Sequence, residues 1–267
     1  MKTALTIAGF DPSSGAGVTA DLMVFAAHGL FGTSAITSLT IQSTIGVADS
    51  RPTEAKYLRD TLDYLQHDLP PAGIKLGMLA TKDIVTEVAS FLRTVRQTSG
   101  QPWIVIDPVL RSSSGRELLS SEAVEVLVAD LLPLADVVTP NTQELSILTG
   151  FPATTPQEIE DAARHLIRRT GCGHVVATGG EGNPPRDLLV SSTAPSQWIS
   201  GERVNSFSTH GTGCVFSSAV LAGLIRGDAP HEAVIAAKKY VTEGIRRATP
   251  LGHGHGPLNH LWPLKST

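Results

Sequence analysis

Trp103-Ile104-Val105-Ile106-Asp107-Pro108-Val109-Leu110 reads as a strand that is apolar on successive positions. A strand with one wet face alternates apolar and polar residues, whereas a strand covered on both faces does not. Such a run belongs in a parallel sheet packed between two layers of helices. The flanking segments agree. Further strand candidates are residues 4–9, 35–43, 74–79, 136–139, 174–178, 187–192 and 197–204. Amphipathic runs separate them. Ile84, Val88, Phe91, Leu92 and Val95 recur at helical spacing, as do Ile159, Ala162, Ala163, Leu166 and Ile167. Thr155-Pro156-Gln157-Glu158 opens the second of these helices as a capping box with Pro at the first position. Residues 18–28, 58–65, 121–131 and 231–247 are further helix candidates. The alternation predicts an α/β fold with a mainly parallel sheet covered on both sides. Residues 187–204 hold two strands with no helix between them, which predicts an antiparallel pair late in the sheet. No internal repeat or Pro/Gly/Ser-rich linker divides the chain, so residues 1–267 are expected to form one domain.

Bulk properties narrow the function. The chain is 41% hydrophobic and 17% charged, with a net charge of −4. It has no Lys/Arg run of the kind that marks a nucleic-acid partner. Aromatic residues, at 5%, are too sparse for base-stacking platforms. Two cysteines, Cys172 and Cys214, build neither a disulfide framework nor a zinc spacing. The leading apolar run is too short for a signal peptide, and no run approaches the ~20 residues of a membrane span. A cytoplasmic location without a membrane partner is expected.

In an open α/β sheet, ligands sit beyond the carboxyl ends of the strands. That rule gathers the segments with unusual chemistry. His210-Gly211-Thr212-Gly213-Cys214 precedes a helix of small and apolar residues. Glycines there let backbone N–H groups converge, and the helix N-terminus adds free donors and positive potential. This is a socket for an anion, typically a phosphate, with a thiol at its mouth whose thiolate is favoured. The same run also reads as a turn capping a buried helix, with Cys214 as a small core residue. Residues 9–17, rich in Gly and Ser, lead into a helix containing Asp21. They resemble a phosphate loop without its Gly-Lys-Ser/Thr ending; they read either as a turn or as a substrate lip. Gln42 ends an apolar strand, where its amide pairs either with a ring edge or with loop backbone. Asn141-Thr142-Gln143-Glu144 is a capping box by spacing; Asn141 and Glu144, with Asp107, also suit Mg2+ held through water. Gly252-His253-Gly254-His255-Gly256-Pro257 lacks a completing carboxylate or cysteine and reads as a Gly-rich surface loop.

These residues together resemble one family, the hydroxymethylpyrimidine/phosphomethylpyrimidine kinases of thiamin biosynthesis, within the ribokinase-like superfamily. The resemblance runs from Leu5 to the C-terminal Gly-Pro loop. It is carried by Leu5-Thr6-Ile7-Ala8-Gly9, Asp11-Pro12, Gly15-Ala16-Gly17, Ala20-Asp21-Leu22, Gln42, Lys75-Leu76-Gly77-Met78-Leu79, Asp107-Pro108-Val109, Thr139-Pro140-Asn141 with Glu144, Arg203-Val204-Asn205, the Cys-bearing turn and Gly254-His255-Gly256-Pro257. It implies a three-layer α/β/α ribokinase-like domain with a central, mainly parallel sheet. It implies ATP-dependent phosphorylation of 4-amino-5-hydroxymethyl-2-methylpyrimidine, then of its monophosphate, with ATP and Mg2+ as cofactors. By this resemblance Gln42 reads the aminopyrimidine edge, and Gly9, Ala16, Asp21, Met78 and Val109 line its pocket. Gly211, Thr212, Gly213 and Cys214 form the catalytic anion hole, with Cys214 near the attacking hydroxyl. Thr178, Gly180, His210 and Lys238 bind ATP, and Asn141, Glu144 and Asp107 serve Mg2+. A homodimer is implied by the family alone. The chain departs from the family pattern at Thr178, where Lys is common, at Glu181, where His is common, and in Arg111-Ser112-Ser113-Ser114-Gly115, where Lys-Ser-Gly is expected. These departures bear on the second phosphorylation. A Cys-bearing pyridoxal kinase and a non-catalytic vitamin-binding paralogue are the alternatives.

Overall fold

The computed structural model describes residues 1–98, 100–112, 115–180 and 184–264; Ser113, Ser114 and Glu181 lie outside them. The elements run β1 (Thr3–Phe10), α1 (Gly17–Ala27), β2 (Phe31–Ser43), β3 (Gly46–Pro52), α2 (Ala55–Asp68), β4 (Gly73–Leu76), α3 (Lys82–Thr98), β5 (Trp103–Ile106), α4 (Ser121–Val126), β6 (Val137–Val138), α5 (Thr142–Thr149), α6 (Pro156–Thr170), β7 (His174–Gly180), β8 (Arg186–Ser191), β9 (Gln197–Ser200), α7 (Thr212–Arg226) and α8 (Pro230–Arg246). They build one sheet in the order β3-β2-β1-β4-β5-β6-β7-β8-β9. The run from β2 to β7 is parallel; β3 pairs antiparallel at one edge and β8 and β9 at the other.

The unbroken apolar run of β5 is explained by the two layers that cover it. Ile104 and Ile106 point into a core shared with α2, α3, α5 and α6. Val105, between them, points into a second core shared with α1, α7 and α8. One residue of the sequence thus serves each helical layer in turn, and the architecture is α/β/α. Both capping boxes form as the spacing predicts. Asn141 and Thr155 each accept from the N3 backbone, and Glu144 and Glu158 each reach back to the cap. Among the described residues no helix is long and apolar enough to cross a membrane.

Several elements differ from the sequence-based expectation. The strand expected over 103–110 stops at Ile106, because Asp107-Pro108 turns the chain and Pro lacks the ladder's N–H. The helix expected over 121–131 is α-helical only to Val126 and closes in a π-turn over Leu127–Leu131. β3 was not expected at all. Its residues Gly46-Val47-Ala48-Asp49-Ser50-Arg51-Pro52 are mostly exposed, so the strand lacks the apolar periodicity that marks its neighbours.

Candidate active site

The carboxyl ends of the strands open onto a cleft of about 710 Å³. Gly9, Ala16, Gln42, Met78 and Val109 line one end of it. Asp107, Asn141 and Glu144 lie in the middle, and Thr178 and Lys238 line the other end, with Gly211, Thr212, Gly213 and Cys214 along one wall. Segments far apart in sequence are thus brought to one place by the parallel topology.

The turn before α7 has a defined geometry. Gly211 is the N-cap with φ +80°, and a Cβ there would lie 1.9 Å from the carbonyl oxygen of Gly15. Only glycine satisfies both the left-handed backbone and that close approach. At Gly213 an added Cβ would meet only Asp107 Oδ2, at 3.7 Å, so the space in front of it is open. The first four N–H groups of α7 have no partner within the helix, and they face this space. Ser217, one turn on, donates to Asp107 Oδ2 at 3.2 Å and fixes the carboxylate against the helix.

The titratable groups of the cleft wall are strongly perturbed. Burial raises Asp107 to about 6; Lys75 opposes the shift, Asp21 adds to it and the Ser217 hydroxyl opposes it. Burial also raises Glu144 to about 8, helped by the Asp107 charge and opposed by backbone N–H bonds from Asn141 and Leu110. Those bonds are 2.9 Å to Oε2 and 3.3 Å to Oε1, so one carboxylate closes the cap of α5 and ties down the chain after β5. The Cys214 thiol is pushed up to about 12 by burial; Lys75 opposes, while Asp107 and Asp21 add to it. This overturns the expectation of a lowered thiol pKa. The helix N-terminus is outweighed by a half-buried sulfur set among carboxylates, and Cys214 is a neutral thiol at pH 7.

Two expected roles are also corrected. Asp21, expected against the substrate ring, is fully buried beneath the cleft. Its carboxylate accepts from Lys75 Nζ at 2.9 and 3.0 Å, from Thr6 Oγ1 at 2.5 Å and from Ser218 Oγ at 2.8 Å. Lys75 is equally buried, so each charge exists there only because of the other. The pair joins α1, β4 and α7 and is part of the scaffold under the anion hole. His210, expected beside ATP, belongs to the other end. Its Nε2 lies 2.8 Å from Asp11 Oδ2 and 3.1 Å from Gln42 Nε2, and its ring packs on Gly15, where a Cβ would come within 2.1 Å. Burial raises the Asp11 carboxyl, but hydrogen bonds from His210 and Ser13 outweigh it and hold the group below its ordinary value.

Gln42 is half-buried and already oriented. Its Oε1 accepts from Thr40 Oγ1 at 3.1 Å, and its Nε2 lies 3.1 Å from His210 Nε2. The Thr40 hydroxyl also reaches Phe10 O at 2.9 Å, and His210 Nε2 lies 2.8 Å from Asp11 Oδ2. The amide is thus held on both sides, its oxygen by Thr40 and its nitrogen beside His210. That leaves one N–H and one oxygen lone pair, side by side, for a ligand.

At the far end, Lys238 Nζ is paired with Asp187 Oδ2 at 2.6 Å. Thr178 bridges to Asn141 in the parallel direction, and Gly180 pairs with Arg186 at the end of β7. Sequence reasoning quoted Thr139 within Thr139-Pro140-Asn141 but gave it no role. It lines the cleft between Asp107 and Asn141, and its buried hydroxyl has no hydrogen-bond partner among the described residues. Its sequence signals are its place at the end of a strand and its membership of Thr139-Pro140-Asn141. The His-bearing C-terminal loop packs on the β2–β3 turn, where Gly254 approaches the Thr44 carbonyl so closely that a Cβ would lie 2.1 Å from its oxygen.

A cleft with an N-terminal anion hole, buried acids and a polar ring-reading end suits transfer of a phosphoryl group. A family described as phosphomethylpyrimidine kinase matches residues 11–259. The chain belongs to the phosphomethylpyrimidine kinase family. A hydroxymethylpyrimidine/phosphomethylpyrimidine kinase of Haemophilus influenzae is 38% identical over 267 residues, covering 97% of each chain. Among solved structures, an ADP complex of Bacillus subtilis pyridoxal kinase superposes with a TM-score of 0.87 at 31% identity, covering 97% of each chain. A phosphomethylpyrimidine kinase from Clostridium difficile gives 0.80 at 32% identity, covering 92% of this chain and 100% of that one. The fold is ribokinase-like, and the protein is a nucleotide-dependent phosphotransferase.

Proposed function

We propose that the protein transfers the γ-phosphoryl group of ATP to the 5-hydroxymethyl group of 4-amino-5-hydroxymethyl-2-methylpyrimidine, and then a second one to the resulting monophosphate. The observation that carries the choice of acceptor is the amide of Gln42. Held by Thr40 and His210, it offers one donor and one acceptor in a fixed plane. An aminopyrimidine presents the complement, a ring nitrogen beside an exocyclic amine, as adenine does to a Gln side chain. Gly9, Ala16, Met78 and Val109 supply the apolar walls of that end of the cleft.

Phosphoryl transfer rests on positioning and charge stabilisation. The free N–H groups at residues 211–214 receive the transferring group, and Gly213 leaves them accessible. The hydroxyl oxygen bonds to the γ-phosphorus, the bond to the β,γ-bridging oxygen breaks, and ADP leaves with that electron pair. The hydroxyl's proton needs an acceptor. Cys214, pushed up to about 12, is protonated at neutral pH, whereas Asp107 at about 6 is ionised and lies beside the hole. Asp107 is therefore the acceptor, and Cys214 contacts the hydroxyl as a neutral thiol.

ATP is expected with Mg2+. Among the described residues no group of three or more His, Cys, Asp or Glu forms a metal cage. Mg2+ needs none, since it keeps several waters and takes one or two carboxylates plus phosphates. The donor set fits: hard oxygen ligands, two carboxylates with raised pKa that a cation would relieve, and the unpartnered hydroxyl of Thr139. Glu144, Asn141 and Thr139, with Asp107 through water, would hold it, and it would neutralise phosphate charge.

Vitamin B6 is the second reading, favoured by the superposition on the pyridoxal kinase of Bacillus subtilis. Pyridoxal places a phenolic oxygen where the pyrimidine has its amine, which leaves Gln42 half-paired. A coupled ADP-release assay with the pyrimidine, its monophosphate and pyridoxal separates the readings. Turnover of the first two is expected. Gln42→Leu should narrow the gap between pyrimidine and pyridoxal; equal losses on both would reduce Gln42 to a loop support.

A further inference from the structure

The charges along the cleft are unevenly committed. Asp11 is held by His210, Asp187 by Lys238 and Glu202 by Arg246. Arg111 also lines the cleft and is exposed, and its guanidinium has no ion-pair or hydrogen-bond partner among the described residues. It is the one uncommitted cation of the cleft among those residues.

Its place indicates what it serves. The backbone of Arg111 bridges to Glu117, and the adjacent Arg116 donates to Ala48 O and, at 2.9 Å, to Asp49 Oδ1. Ala48 and Asp49 belong to β3, the neighbour of the strand that carries Gln42. This chain segment is therefore anchored at the acceptor end, several strands from Thr178 on β7 and from Lys238 with its β8 partner Asp187. The first acceptor is a neutral alcohol and needs no cation there. Its monophosphate brings nearly two negative charges toward Asp107 and Glu144. A planar guanidinium grips a phosphate through two parallel N–H bonds.

On the reading given under Proposed function, we infer that Arg111 binds the phosphate of the monophosphorylated acceptor and determines specificity for the second transfer. In that step an oxygen of the acceptor's phosphate bonds to the γ-phosphorus of ATP. The bond to the β,γ-bridging oxygen breaks and ADP departs with the electron pair. The dianionic acceptor has no proton to lose, and Arg111 keeps all of its own.

The test pairs steady-state kinetics on both acceptors with calorimetric binding of the monophosphate in the absence of nucleotide. A hydrogen bond to a charged group is worth roughly one to two powers of ten in affinity. Arg111→Ala should raise the KM and Kd of the monophosphate at least about tenfold and leave kcat/KM for the alcohol within about twofold. Arg111→Lys, which keeps the charge without the fork, should recover part of the loss. Equal losses on both acceptors would assign Arg111 to the nucleotide and overturn the inference, as would unchanged monophosphate kinetics and binding. A wild-type protein that phosphorylates neither compound would instead overturn the kinase reading on which the inference rests.

Discussion

Gly211 and Gly213 stand two residues apart at the start of α7, and a methyl group added to each should have opposite effects. At Gly213 the new Cβ has one neighbour within 4 Å, Asp107 Oδ2 at an ordinary 3.7 Å, and the backbone is not left-handed. Ala is preferred to Gly in a helix interior by up to ~1 kcal/mol, and by less in the first turn. Gly213→Ala should therefore fold as well as the wild type. The same methyl stands where an anion meets the N–H groups. Removing one donor from such a hole costs roughly 10²–10³ in rate, and a comparable fall in kcat is expected. At Gly211, φ of +80° costs roughly 1–2 kcal/mol for any side chain. The contact with Gly15 O at 1.9 Å adds to that strain. At about 2–4 °C per kcal/mol for a chain of this size, Gly211→Ala should melt several degrees low. Thermal unfolding and ADP-release kinetics on both variants make the comparison. A Gly213→Ala protein with kcat within twofold of wild type would refute an anion hole at this turn.

The other expectations concern the buried charges. Lys75→Met leaves Asp21 buried with only hydroxyl partners, and urea unfolding should show a loss of about 3–5 kcal/mol; Lys75→Met with Asp21→Leu should lose less than Lys75→Met alone. Glu144, raised to about 8 in the folded state, holds a proton that the unfolded chain releases near its ordinary value of 4.5. Its contribution is complete below that value, and apo stability should fall as pH rises from there to about 8; Glu144→Gln, which preserves the cap, should flatten this decline in a series of melting curves. Cys214, at about 12, should react slowly with iodoacetamide at pH 8 and faster only at more alkaline pH. A midpoint below the ~8.5 of a free thiol would contradict the structure.

Much of the fold was legible because its signals are local. Ile104-Val105-Ile106 shows a strand covered on both faces, and each residue does meet a helical layer. Asn141 and Thr155 announce their helices through caps that need only nearby residues. β3 was not legible, because an edge strand held by a hairpin needs no apolar face. The site was legible as a set of segments, since parallel topology places strand ends together. Individual roles were not, because they depend on what lies across the chain. Asp21 looks like a cleft acid until Lys75 is seen beneath it. A lysine between Ile74 and Leu76 was the available clue, since a charge inside an apolar strand requires a buried partner. His210 sits beside glycines that suggest phosphate, but Asp11, some two hundred residues earlier, draws it to the acceptor end. Cys214 follows the same pattern: the helix start predicts a low pKa, and burial beside Asp107 and Asp21 reverses it.

The central claim is that Gln42 selects an aminopyrimidine alcohol for phosphorylation. The most direct measurement is a competition in one vessel, with 4-amino-5-hydroxymethyl-2-methylpyrimidine and pyridoxal at equal concentration and ATP limiting. The ratio of phosphorylated products is then the ratio of kcat/KM. A half-paired amide costs ~1–3 kcal/mol, so the pyrimidine product should exceed pyridoxal phosphate by roughly tenfold or more. Equal yields, or an excess of pyridoxal phosphate, would contradict the account.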